Sequence, residues 1–204
     1  MFTARQLVTP EEINDLKSLI YDVYIGEMQW VPRSDNPSGL RNIKDGDRTY
    51  LDDNYSTESV WFGVFHDGAL AGGIRAMKSR EGKLEVEHYY DLPSHVTARR
   101  SQSVEVNRMA FKPQFRESMA PIVLFYNLAL YLAKQKTEFV VTTASEPEPA
   151  GLCKKLGFKP TDDIAFKYSP ADVNSVKTFV LDCRNEGALE RLIALCEKIM
   201  ASQK

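Results

Sequence analysis

The stretch 104-VEVNRMAFKPQFRES-118 decides how the chain is read. Val104 and Val106 alternate with Glu105 and Asn107, the period of two expected of a β-strand with one face in a core. Arg108 follows at once. Lys112-Pro113 then ends the strand and turns the chain toward the long apolar run 118-SMAPIVLFYNLALYLAKQ-135, which reads as a helix with Ser118 as its cap. A core strand carrying a glutamate, an asparagine and an arginine poses a question of cost, because buried charges are expensive unless paired or used. The strand is either a surface-facing edge or the floor of a site.

The flanking sequence frames it. Upstream, 59-SVWFGVF-65 and 69-ALAGGIRAM-77 lie around an Asp-Gly turn, a β-hairpin signal. Downstream, 138-EFVVTTA-144 is a strand, 146-EPEPAGLCKKLGF-158 is a short helix closed by Gly157, and 176–182 is a further strand. The run 187-GALERLIALCEKIM-200 places Leu189, Leu192, Ile193, Cys196, Ile199 and Met200 on one helical face. At the start, residues 2–8 form a strand, and Thr9-Pro10-Glu11-Glu12 opens a helix over 10–26. Residues 31–57 are polar and rich in turn formers, so they read as a long functional loop, and 84–100 shows no clear period. This order predicts an α/β (α+β) domain, a mixed sheet flanked by helices.

With 204 residues the chain reads as a single domain over 1–204, ending in a helix at 187–201. A chain of that size buries roughly 70% of its unfolded surface and needs no disulfide or metal to hold its core. The net charge of −2 argues against nucleic acid as a partner. Cys153, Cys183 and Cys196 form no disulfide or zinc pattern, and His66, His88 and His95 lack metal-ligand spacing. The first residues show no signal-peptide pattern, and no run approaches 18 apolar residues. The expected location is the cytoplasm, with no membrane span.

The order of hairpin, third strand, Pro/Arg turn, long helix, strand, short helix and 156-LGF-158 resembles the GNAT acyltransferase superfamily. A narrower resemblance is to the acyl-homoserine-lactone (autoinducer) synthases and N-acyl amino acid synthases. Their fourth strand carries E-x-S-R before a hydrophobic pair, and this chain reads 105-EVNRMAF-111. Tyr24 and Trp30 match their early aromatic residues, Asp45, Asp47 and Asp53 their loop acids, and Arg75 their hairpin arginine. The chain departs from the pattern in three places. Ile20 stands where the synthases have an arginine, and Asn107 where they have serine. The GNAT pyrophosphate turn, R-G-x-G-x-G/A, reads 116-RESMAP-121 here. Glu117, Met119 and Pro121 replace glycines that let backbone N–H groups approach a phosphate.

The resemblance implies a GNAT-like, largely antiparallel sheet and N-acyl transfer from a thioester to a small amine such as an amino acid or S-adenosylmethionine. The missing glycines favour an acyl-carrier-protein thioester over acyl-CoA as co-substrate, with no permanently bound cofactor. The acyl carrier protein would be the partner, drawn by a basic group including Lys112, Arg116, Lys154, Lys155 and Lys159. Glu105 is the candidate base, or else the ion-pair partner of Arg108 or Arg75. Arg108 and Asn107 face the acceptor, Trp30 and Tyr24 wall it, and Asp47 and Asp53 attract its amine. Arg75 pins the loop by pairing with Asp53 or Asp47. Phe111, Lys112 and Arg116 lie at the donor end. The run 119–133 either lines an acyl tunnel or is an ordinary core helix. Two alternatives remain: an acetyl-CoA-dependent N-acetyltransferase, and a GNAT-like domain that binds an acyl ligand without catalysis.

Overall fold

The structure is a computed structural model that describes residues 1–185 and 187–202. Its centre is a seven-stranded sheet in the order β1-β4-β5-β6-β7-β9-β8. The strands are β1 (Phe2–Leu7), β4 (Ser59–His66), β5 (Ala69–Met77), β6 (Ser103–Phe111), β7 (Phe139–Ser145), β8 (Lys159–Phe166) and β9 (Val176–Asp182). Every neighbouring pair is antiparallel except β6 and β7, which run parallel.

Helices α3 (Ala120–Lys134), α4 (Glu148–Lys155) and α5 (Ala188–Ala201) cover one face. Val104, Val106 and Phe111 point into that layer beside Leu124, Leu128 and Leu192. The opposite face carries α1 (Pro10–Tyr21) and the segment 84–102, which folds into single turns around the short α2 (Ser94–Thr97). α1 begins as its sequence predicts. The Thr9 hydroxyl accepts the Glu12 N–H at 3.2 Å, and the Glu12 carboxylate accepts the Thr9 N–H at 3.4 Å. Its apolar stripe lands on a bare patch of β5: a Cβ at Gly73 would meet the Phe62 carbonyl at 2.5 Å and Leu16 at 2.6 Å. Only glycine lets α1 lie this close, and the chain that continues from α1 brings Tyr24 and Trp30 toward β6.

Three expectations are corrected. The segment 31–57 is not one long loop: β2 (Arg41–Asp45) and β3 (Arg48–Asp52) pair as an antiparallel hairpin. β2 is mostly exposed and β3 buries only Leu51 fully, so no burial period betrays them. A strand at 159–166 was not anticipated, for the same reason; it is a largely exposed edge strand. The helix expected over 10–26 is α-helical only to Tyr21 and continues as a π-helical turn over Asp22–Glu27. The long helix starts at Ala120, with Ser118 accepting its first N–H at 3.1 Å. Among the described residues, no helix is long and apolar enough to cross a membrane.

Candidate active site

The parallel pair β6–β7 holds together only at one end. Ser103–Glu105 pair with Phe139–Val141, and beyond that point the strands part. The wedge between them opens into a cavity of about 270 Å³. Its inner part is apolar, walled by Leu128, Leu132, Leu156, Leu181 and Leu192. Its mouth is polar and aromatic, walled by Tyr24, Trp30, Glu85, Asn107, Arg108 and Tyr168. The wedge thus joins a hydrophobic chamber to a charged rim.

The rim explains the residues of β6. Glu105 and Asn107, two apart, share the face opposite the α3 layer. By the same period Arg108 would point the other way. Instead β6 bulges: Gly73 pairs with Ala110 and Arg75 with Asn107, so Arg108 and Met109 together oppose Ile74. Arg108 takes a left-handed backbone, φ +55°, which turns its guanidinium toward the Glu105–Asn107 side.

There it joins a buried network of two guanidinium groups and three carboxylates. Arg75, wholly buried, donates from Nη1 to both oxygens of Asp53 at 2.7 Å and from Nη2 to Glu85 at 2.5 Å. Its Nε donates to the Asn107 carbonyl oxygen at 2.7 Å. Arg108 Nη2 reaches Glu85 at 2.5 Å and Asp53 at 3.3 Å. The Asn107 amide donates at 2.9 Å to both Glu85 and Glu105, and the second Glu105 oxygen accepts the Val86 N–H at 3.0 Å.

The charges sort the acids. For Asp53, burial alone would raise the pKa, but Arg75 and Arg108 outweigh it and hold the group down to about 2. Among the described residues, Glu105 has no guanidinium in hydrogen-bond contact. Burial, reinforced by the Glu85 charge, pushes it up to about 7 against the pull of the Val86 N–H and Arg75. It is the acid that changes charge near neutral pH. Because Glu85 raises Glu105, Glu85→Gln should lower the Glu105 pKa and move its titration toward acid. A pH titration of both proteins by carboxyl NMR checks this; an unmoved Glu105 would remove the coupling.

The sequence-predicted residues distribute as follows. Tyr24, Trp30, Asn107 and Arg108 line the cavity. Tyr24 and Trp30 pack edge to face at 4.9 Å, and the Arg108 guanidinium lies 5.8 Å from the Trp30 ring. Arg75, Asp53 and Glu105 form the floor behind them, with Glu105 only 1% exposed. Asp47 does not join them; it lies exposed in the turn of the β2–β3 hairpin. Phe111 ends β6 packed over Gly72. Arg116, exposed, donates to the Phe111 carbonyl at 3.2 Å and to Glu27 at 2.6 Å, and Lys112 is half-buried beside it. Sequence reasoning missed Glu85, which holds both guanidinium groups and lines the cavity. Its neighbours 84–100 carry no period; the only available signal was the need of two core arginines for acids.

No protein-family model matches the chain, and no curated protein matches it by sequence. Solved structures do match it. FeeM, an N-acyl amino acid synthase from uncultured soil microbes, superimposes with a TM-score of 0.68 at 17% identity, over 91% of this chain and 92% of that one. BjaI, described as a CoA-dependent acyl-homoserine lactone synthase with SAM and isopentyl-CoA, gives 0.62 at 16% identity, over 97% and 89%. An N-acetyltransferase from Staphylococcus aureus Mu50 gives 0.58 at 12% identity, over 89% and 98%. The sheet, its parted parallel pair and these superpositions together show that the chain has a GNAT-like fold, of the kind built by the N-acyl amino acid and acyl-homoserine-lactone synthases.

Proposed function

We propose that the protein is an N-acyltransferase that moves a medium or long acyl group from a carrier-protein thioester to the amine of a small amino acid. The observation that carries this reading is the apolar chamber behind the wedge. A cavity of about 150 Å³ takes up benzene, six carbons; by proportion the whole wedge, about 270 Å³, has room for roughly eleven heavy atoms, shared between the acyl chain in the apolar part and the acceptor at the rim. An acetyl group would leave most of it empty, which favours a longer acyl donor over acetyl-CoA.

The rim supplies the acceptor chemistry. Arg108 uses Nη2 for its ion pairs, and its Nε and Nη1 make no hydrogen bond among the described residues. With Nη2 engaged neither two-point fork is open, and Nη1 is left to donate a single charge-assisted hydrogen bond to an acceptor carboxylate at the cavity mouth. The α-ammonium would lie near Glu85, the acid that reaches the mouth. It must lose one proton to become a nucleophile. Glu105, poised near neutrality and hydrogen-bonded to the Asn107 amide that also holds Glu85, is the group suited to receive it through a water. The free amine attacks the thioester carbon and the C–N bond forms. The tetrahedral intermediate then collapses with loss of the C–S bond, and the thiolate leaves with the second amine proton.

The donor end supports a carrier protein. At the start of α3 the Ser118 hydroxyl already occupies the Ala120 N–H, and Pro121 has none to give. Glu117 adds an exposed carboxylate to the same turn. A CoA diphosphate would meet few donors and a like charge there. Acyl-carrier-protein should therefore be used with a higher kcat/KM than the matching acyl-CoA. The advantage should shrink as salt screens the Lys112, Lys154, Lys155 and Lys159 side chains from the acidic carrier. Product formation followed by mass spectrometry, with both donors at two ionic strengths and a mixed amino-acid pool, tests the reading. No acylated product from either donor overturns acyl transfer; a better rate with acetyl-CoA overturns the donor assignment.

A further inference from the structure

A second cavity, of about 30 Å³, adjoins the first and shares Trp30, Glu85, Arg108 and Tyr168 with it. A cavity needs about 10–15 Å³ on this measure to hold one water, so this one has room for a small head group. Three aromatic side chains wall it. Trp30 and Tyr168 have ring centres 5.7 Å apart, and Tyr89 and Tyr168 4.7 Å.

The last wall is Asp172, on the β8–β9 connection and only 7% exposed. Its Oδ2 accepts the Ser169 N–H at 2.8 Å. Its Oδ1 accepts no hydrogen bond, and the carboxylate has no ion pair, among the described residues. The other charges around this cavity are matched. Glu85 and Arg108 pair with each other at 2.5 Å, and Arg33 at the rim is turned to Asp35 at 2.6 Å. Among the described residues, the uncompensated charge lining the cavity is therefore negative, and it shares that lining with three aromatic rings. An acid with an oxygen left free, together with aromatic walls, favours a small cation.

We propose that this side cavity holds a second positive group of the acceptor, which makes the acceptor a diamino acid. One amine is acylated at the junction of the two cavities, and the other, as ammonium, sits between Asp172 and the rings of Trp30, Tyr89 and Tyr168. The acylation half of this statement rests on the acyl-transfer reading above; the binding half does not.

The test compares L-ornithine with L-norvaline, which share a chain length and differ by the terminal ammonium. Calorimetric titration of the full chain reads binding without any need for turnover. Ornithine should bind about 10- to 100-fold more tightly, the range of a charge-assisted hydrogen bond. Asp172→Asn keeps an oxygen for the Ser169 N–H and removes the charge. It should abolish the ornithine advantage and leave norvaline affinity unchanged. Equal wild-type affinities overturn the proposal without recourse to the variant. So does absence of binding by either, or an Asp172→Asn protein that is folded by its melting curve and keeps the advantage. Tighter binding of S-adenosylmethionine, whose cation is a sulfonium, overturns the diamino acid assignment. Preferential ornithine binding with no acylated product would uphold the cation site while removing the acyl-transfer reading.

Discussion

Glu105→Gln should lower kcat by about 10²–10⁴-fold, the usual contribution of a positioned general base. It should also remove the limb of the pH–rate profile that titrates near 7. The same substitution has a second readout in stability. The folded protein holds Glu105 at about 7, well above the roughly 4.3 of an exposed glutamate. Between those values the folded state binds a proton that the unfolded state has lost. The stabilisation from Glu105 is thus complete below about pH 4 and is lost as pH rises through 7. Over that window wild type should lose on the order of 4 kcal/mol relative to Glu105→Gln. Denaturant melts of both proteins at pH 5 and pH 8 measure the difference. A folded Glu105→Gln protein with wild-type turnover would end the base assignment, and parallel stability profiles would show that Glu105 titrates normally.

Arg75→Met should be the most damaging single change to the fold. Arg75 is wholly buried and satisfies Asp53, Glu85 and Asn107 at once. Methionine fills similar space but leaves two buried carboxylates with Arg108 as their only cation among the described residues. Removing one partner from a buried ion pair costs about 3–5 kcal/mol, which lowers the melting temperature of a chain this size on the order of 10 °C. The exposed pair Arg184–Asp182 is the control, since surface ion pairs contribute little. A melting curve for Arg75→Met that matches the Arg184→Ala control would mean that the network is not what holds β5 to the segment 84–102.

Much of the frame was legible because burial leaves a period in sequence. Val104 and Val106 mark β6, the Asp-Gly turn marks the β4–β5 hairpin, and the stripe of Leu189, Leu192 and Cys196 marks α5. The elements that escaped are those with little to bury: the β2–β3 hairpin and the edge strand β8. Of the site, the sequence named Tyr24, Trp30, Asn107 and Arg108 at the mouth and Arg75, Asp53 and Glu105 beneath it. It misplaced Asp47 and missed Glu85 and Asp172, because an acid in an aperiodic segment reads the same whether it is solvated or buried.

What the sequence determined by itself was that β6 sets a glutamate, an asparagine and an arginine among apolar strand residues, and hence that they are either solvated at an edge or paired in a site; that they are buried came from the structure. Which groups meet was decided only by the tertiary structure. Sequence parity puts Arg108 on the far side of the sheet from Asn107; the bulge, at φ +55°, brings it back. That reversal depends on the two residues Arg108 and Met109 facing the single residue Ile74 across β5, a register that no local pattern encodes. The pKa of Glu105 is likewise a tertiary property. It depends on Glu85 arriving from 20 residues earlier in the chain, so the proton-accepting behaviour assigned to β6 comes from a neighbour that β6 does not contain.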